Sequence, residues 1–299
     1  MKYKNLHIII NEEIQNTLDE TYKSVDEIKK LANDILIKTA EINFEKYNTD
    51  GSFRYIYGVN VDKMDSSKYD EIKNYVADSN VQIYFQPKDD KSSNKADYSN
   101  IITYKGEKYN PRTERDINLY YDYNRFKEKI DEILKEQVIS RSDFYSKLYY
   151  EFYTSLVHEL QHSYDDYRSG GMAYNTPENE KYRKKYLQKS DNNVSRSQIN
   201  DLESYREYLN LPHEIWARFS QAMIKVRFYT WDYDKSNDKQ IIYTMYPLNQ
   251  VLKDFRYAFD NFKVLSPEMQ KRLYRKVSQF WHIEQEKINK INKNGGEKS

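Results

Sequence analysis

Cysteine is absent from the chain, so neither a disulfide nor a thiolate ligand contributes, and the redox compartment is left open. An excess of charge of one sign is absent too. The 48 Lys and Arg residues balance 47 Asp and Glu, and a formal net charge of +1 argues against a nucleic-acid polyanion as the main partner. No apolar run approaches the roughly 18 residues that a membrane span needs. Met1 to Ile10 holds only the short run Ile8 to Ile10, without a signal-peptide core or a small-residue cleavage site. These absences predict a cytoplasmic protein that binds neither nucleic acid nor membrane. Histidine is scarce, at five residues, which gives weight to any pattern built from it.

What is present is polar and aromatic. Charged residues make up 32% of the chain, and the mean hydropathy is −1.03. Yet 31 tyrosines and 12 phenylalanines supply bulk for a core that a hydropathy scale undervalues. A length of 299 residues suffices for one large domain or two small ones. The expected layout is a single domain over 1–291, with a sheet-containing part over about 1–139, a metal helix and helical part over about 140–291, and a disordered tail over 292–299.

The most informative stretch is Val157-His158-Glu159-Leu160-Gln161-His162, an H-E-x-x-H pattern. With five histidines, its accidental occurrence is roughly a 1% event by composition, so a chemical reading outweighs that of two surface histidines flanking a solvated glutamate. Phe144, Leu148, Phe152, Leu156 and Leu160 recur every four residues, which predicts a helix with one buried stripe. On that helix His158 and His162 lie one turn apart on one face, and both imidazoles can reach one metal ion. Glu159, beside the first ligand, is placed to hold a water that attacks a substrate rather than to ligate.

A third ligand is sought downstream, in Leu211-Pro212-His213-Glu214-Ile215-Trp216-Ala217. Pro212 suits the first turn of a helix whose apolar face is Ile215, Phe219, Ala222, Met223 and Val226. Glu214 then sits in the first turn, with His213 as its competitor, and Ala217 is small enough to allow close helix packing. H-E-x-x-H followed by E-x-x-A resembles the zincin metallopeptidases of the glutamate-ligand type, the gluzincins. The run Glu214, Ala217, Phe219 is also similar to the ImmA-like intracellular peptidases of mobile elements, although the phenylalanine comes one residue sooner than in their pattern. The resemblance covers Phe144 to Val226. It implies an α+β zincin-like fold: a mixed or antiparallel N-terminal sheet with helices, an H-E-x-x-H active-site helix and a mostly helical C-terminal part. It also implies Zn2+ held by His158, His162 and Glu214, with Glu159 catalytic, and no other cofactor. A mobile-element origin would place the protein in a host cytoplasm or a virion.

Along the chain, Asn11 is read as the N-cap of a long helix with Ile14, Leu18, Val25, Ile28, Ala32, Ile35 and Ile42 on its buried face. Phe53 to Val61 alternates as a strand after the turn Asp50-Gly51. Ser67 to Ala77 reads as a helix with Ser67 and Asp70 as a capping box. Val81, Ile83 and Phe85 mark a strand closed by Pro87, and Lys88 to Lys95 a loop. Tyr98 to Tyr104 and Ile117 to Tyr123 mark two more strands, joined through Gly106 and Pro111, before a helix through Phe126, Ile130, Ile133 and Leu134. Gly170-Gly171 is expected to end the metal helix. The polar segment Met172 to Asn200 reads as a mobile loop, Leu202 to Leu209 as a helix, and Trp231 to Gln240 as a loop. Helices over Leu248 to Phe262 and from Ser266-Pro267-Glu268 follow, the latter burying Met269, Leu273, Val277 and Phe280.

The function expected is a zinc-dependent metallopeptidase, a hydrolase of protein or peptide substrates, in which Glu159 activates the attacking water and passes the proton to the leaving amine. Tyr174, Tyr205, Tyr208 and His213 are the alternatives for the oxyanion donor. Asp165 and Asp166 either orient a ligand imidazole or are simply solvated or capping groups. The alternative function is a catalytically inactive zincin-fold structural or interaction protein of a phage or other mobile element. A carbohydrate-binding module with aromatic platforms would not need H-E-x-x-H at all. The sequence leaves the oligomeric state open.

Overall fold

The computed structural model of the chain describes residues 23–39, 56–87, 96–100, 115–121, 141–171, 173, 177–186, 202–233 and 241–296. It is an α+β structure that divides into two compact units, one over Lys23–Ser220 and the other over the described residues from Gln221 onward. Among the described residues no helix is long and apolar enough to cross a membrane.

The first unit opens with α1, over residues 23–39, where Val25, Ile28, Ala32 and Ile35 are buried as the periodicity predicts, together with Leu31 and Leu36. Strand β1 (Ile56–Asn60) follows, then the short helix α2 (Lys73–Asp78) and strands β2 (Val81–Pro87), β3 (Ala96–Asn100) and β4 (Arg115–Tyr121). The sheet order is β1-β2-β4-β3. β2 runs parallel to β4, in register from Val81 opposite Arg115 to Pro87 opposite Tyr121, and the outer pairs are antiparallel, so the sheet is mixed. Val81, Ile83, Ile117 and Leu119 alternate into the core, and Arg115 joins them on that face, fully buried.

Helix α3 (Arg141–Arg168) packs against β3 and β4. Its second half is buried almost all round: Phe152, Leu156, Val157 and Leu160 on the apolar side, and Glu159, Gln161, His162, Ser163 and Asp166 among the polar residues. Gly170 and Gly171 end it, with φ of 64° and 84°. The Gly171 N–H donates to Asp166 O at 2.8 Å and the Gly170 N–H to Tyr167 O at 3.1 Å, the paired bonds of a Schellman stop. The unit continues with α4 (Pro177–Tyr186), α5 (Leu202–Leu209) and α6 (Pro212–Met223), the last reaching just into the second unit. Pro212 opens α6 as predicted, because at the first helical position its missing N–H costs nothing. Ile215, Phe219, Ala222, Met223 and the following Val226 are buried.

The second unit pairs β5 (Tyr229–Tyr233) with β6 (Ile241–Met245) in an antiparallel hairpin beside α7 (Leu248–Ala258) and α8 (Pro267–Gly296). Ser266 caps α8, its Oγ accepting the Met269 N–H at 3.2 Å, and Leu273, Val277 and Phe280 are buried, with Met269 only partly so.

Several sequence expectations change here. The helix expected over Ser67 to Ala77 is a 3-10 turn, Ser66–Lys68, followed by the six residues of α2. Asp65 caps the turn, accepting from Ser67 N at 3.1 Å and Ser67 Oγ at 2.6 Å. The start of α2 is held from a distance: Glu27 on α1 accepts the N–H groups of Asp70, Glu71 and Ile72 at 2.9, 2.9 and 3.0 Å. The expected mobile loop over Met172 to Asn200 contains α4, which buries Asn179 and Tyr182. The expected loop from Trp231 begins inside β5, where aromatic Tyr229, Trp231 and Tyr233 alternate with Thr230 and Asp232. The expected disordered tail from Asn292 is helical to Gly296, and the Asn292 side chain bonds both the N–H and the carbonyl of Tyr243 on β6. The readings on Asn11, Ile14, Leu18, Ile42, Asp50-Gly51, Phe53, Tyr55, Lys88 to Lys95, Tyr104, Gly106, Pro111, and the helix through Phe126 and Leu134 lie outside the described residues.

Candidate metal centre

Two helices of the first unit build the site. On α3, the one-turn spacing brings His158 and His162 together, with Nε2 atoms 3.1 Å apart and ring centroids 4.7 Å apart at 89°. On α6, Glu214 in the first turn turns its Oε2 to within 3.5 Å of His162 Nε2 and 3.8 Å of His158 Nε2. Among the described residues these three form the group able to hold a metal ion, with ligand atoms all within 4.8 Å of one another. His213 is not part of it, although its ring centroid lies 5.6 Å from that of His162.

The donor set fits zinc. Tetrahedral coordination at bond lengths of about 2.0–2.1 Å puts ligand atoms about 3.3 Å apart. The observed 3.1, 3.5 and 3.8 Å bracket that value. The site is also enclosed: the Glu214 side chain is 1% exposed and the imidazoles 13% and 8%. Glu159, the next residue after His158, is buried.

Two neighbours hold the Glu214 carboxylate. Arg218, one turn further along α6, donates from Nε to Oε1 at 2.6 Å. Tyr208, at the end of α5, donates its hydroxyl to Oε2 at 2.9 Å. Burial alone would raise the Glu214 pKa, but His162, His158 and Arg218 outweigh it and hold the carboxyl well below the usual range. For His162, burial disfavours the charged ring, yet Glu214, Glu159 and Asp165 outweigh it and raise the pKa. Burial, with the Glu214 charge beside it, pushes the Tyr208 hydroxyl well above its ordinary value, so it stays a donor.

Around this centre, the Ser220 hydroxyl on α6 donates to Gln161 Oε1 at 2.7 Å, and Gln161 Nε2 donates to Asp165 Oδ1 at 2.9 Å. Asp166 faces Arg115 across the buried boundary between α3 and β4, Oδ2 to Nε 3.8 Å. Ser163, beside His162, accepts from the Tyr75 hydroxyl on α2 at 3.0 Å, and Tyr75 packs edge-on against Tyr164 and Tyr167. Of the two aspartates singled out in the sequence, Asp166 therefore binds an arginine and Asp165 a glutamine. Of the oxyanion alternatives, Tyr208 touches Glu214 and His213 lies beside His162; Tyr174 and the side chain of Tyr205 lie outside the described residues.

Ser220 and Arg115 have no part in the sequence reading. Arg218 comes near the histidine helix once Glu214 faces the metal, and the two stand at the i, i+4 spacing of one helix. Arg115 sits at an inward position of the alternation Arg115, Ile117, Leu119 and would emerge once the strand is started two residues earlier. Compared with protein families, curated proteins and solved structures, the chain matches none.

Proposed function

We propose that the protein is a zinc-dependent metallopeptidase of the glutamate-ligand zincin type, with His158, His162 and Glu214 as the metal ligands. The observation that carries this reading is the convergence of three ligand atoms from two helices in an enclosed site. Three protein ligands leave a position open, the arrangement of catalytic rather than structural zinc sites. When bound, the ion supplies Lewis acidity, lowering the pKa of a water towards about 7 and polarising a substrate carbonyl.

The rest of the chemistry belongs to the chain. Glu159 takes the proton of the attacking water on its carboxylate and returns it to the nitrogen of the departing amine, one group serving as base and then acid. Its burial keeps bulk water from competing for that proton. His158 and His162 would hold the ion as neutral rings, so loading the site would displace the proton that the raised His162 pKa favours.

Purified full-length chain reconstituted with zinc should hold one ion and cleave an unstructured protein substrate. Glu159→Gln should keep the ion and lose on the order of 10²–10⁴ in rate, the usual size of a general-base contribution. A wild-type chain that retains no zinc after reconstitution would sink the reading. Equal rates for wild type and Glu159→Gln would remove Glu159 from its role.

A further inference from the structure

We propose that Tyr208 and Arg218 are positioning residues that hold Glu214 so that it faces the metal with a single carboxylate oxygen. The inference rests on the metal reading above and goes beyond it: the clamp presents Oε2 alone, and it removes Tyr208 from the possible oxyanion donors.

The two carboxylate oxygens are not equivalent. Oε1 takes the Arg218 Nε–H at 2.6 Å, a short, charge-assisted bond in a buried setting. Oε2 takes the Tyr208 hydroxyl at 2.9 Å and is also the oxygen that stands 3.5 and 3.8 Å from the two imidazole Nε2 atoms. An ionised carboxylate offers about four lone-pair sites, two on each oxygen. Tyr208 uses one site on Oε2 and leaves the other directed at the space between the imidazoles, where the ion would sit. A half-turn of the carboxylate only exchanges two identical oxygens, but rotating it so that both face the imidazoles carries one oxygen away from the Arg218 Nε–H.

The clamp comes from two elements. Arg218 lies one turn along the same helix as Glu214, so its reach is set by helix geometry. Tyr208 comes from α5, and a tight turn brings it in, with the N–H of Leu211 on Tyr208 O and that of Asn210 on Glu207 O, both at 3.1 Å. Charge neutralisation of a buried glutamate needs only the arginine. A second donor on the metal-facing oxygen is what orientation needs, and neutralisation does not explain it. A phenol spent on the ligand is not free to meet a developing oxyanion.

The test compares wild type, Tyr208→Phe and Arg218→Lys as full-length chains. Zinc affinity is measured by chelator competition, coordination by the visible absorption of the cobalt(II)-loaded protein, and folding by the melting of the metal-free form. Tyr208→Phe should lose about 10–100-fold in zinc affinity, the usual cost of removing a partner of a ligand, while the metal-free form melts as wild type does. Arg218→Lys keeps the charge but not the placed Nε–H. It should show a cobalt spectrum of lower intensity, as Glu214 offers both oxygens and the coordination number rises. Wild-type affinity and spectrum in both variants would overturn the proposal, as would a loss confined to metal-free stability. A wild-type chain that binds neither zinc nor cobalt would fail the metal reading and this inference together, and it is told apart because it needs no substitution to appear.

Discussion

Ser220 and Gln161 join the two ligand helices directly: the serine hydroxyl on α6 donates 2.7 Å to the amide oxygen of a residue lying between the two histidines on α3. The glutamine is a spacer in the H-E-x-x-H pattern, yet its side chain sets how the glutamate-bearing helix registers against the histidine-bearing one. Its other end is committed to Asp165.

That bond predicts the outcome of Ser220→Ala. The buried amide oxygen loses this donor, and an unsatisfied buried acceptor costs about 1–3 kcal/mol. Urea unfolding of the metal-free chain should show the loss, and zinc affinity should fall with it. Adding Gln161→Met should cost less than the two single changes combined, because the pair shares one interaction. Strict additivity would show that the bond does not fasten the helices.

The ligand assignment separates Glu214 from its neighbour His213. Glu214→Ala should weaken zinc binding by more than about 100-fold, beyond the 10–100-fold typical of an outer partner. His213→Ala should leave binding nearly unchanged, because its ring stands beside His162 but outside the converging ligand atoms. The reverse order in a metal titration would make the site a three-histidine one.

Asp165 yields a pH dependence. Burial pushes its pKa from 3.8 up to about 6, although Gln161, His162 and Arg168 pull the other way. Between those values the folded chain binds more protons than the unfolded one, so stability falls as pH rises through the window, and the penalty persists above it. Asp165→Asn keeps the acceptor for Gln161 and removes the charge. In the metal-free protein it should stabilise by roughly 1–3 kcal/mol at pH 7.5 and by less at pH 4.5. A stabilisation independent of pH would assign the effect to something other than the ionised carboxylate.

The parts of the site that were legible in the sequence are those that depend on spacing along one element. His158 and His162 converge because a helix repeats every 3.6 residues. Glu214 was placed because Pro212 marks a helix start, and α3 stops at Gly170 because that position needs a positive φ. What was not legible is pairing between elements. Nothing local ties Ser220 to Gln161, Tyr208 to Glu214, or Arg115 to Asp166, since each contact exists only once the helices and sheet are docked. α4 was hidden by its own polarity: within Pro177–Tyr186 the described buried side chains are those of Asn179 and Tyr182, too few to make a periodic signal. β5 was misread for a different cause, as its alternating aromatics are diluted by polar neighbours.

The grip of Glu27 on the lead-in to α2 carries a dependence between distant parts of the chain. Six residues are far too few for a helix to persist alone in water, where about 12–15 are marginal. α2 therefore depends on α1, whose Glu27 carboxylate fixes the three N–H groups just before it, those of Asp70, Glu71 and Ile72. Tyr75 rides on α2, and through it the hydroxyl that meets Ser163 next to His162. The brace behind the histidine helix thus hangs on a residue more than a hundred positions upstream, and Glu27→Ala would loosen a contact next to His162 that it never touches.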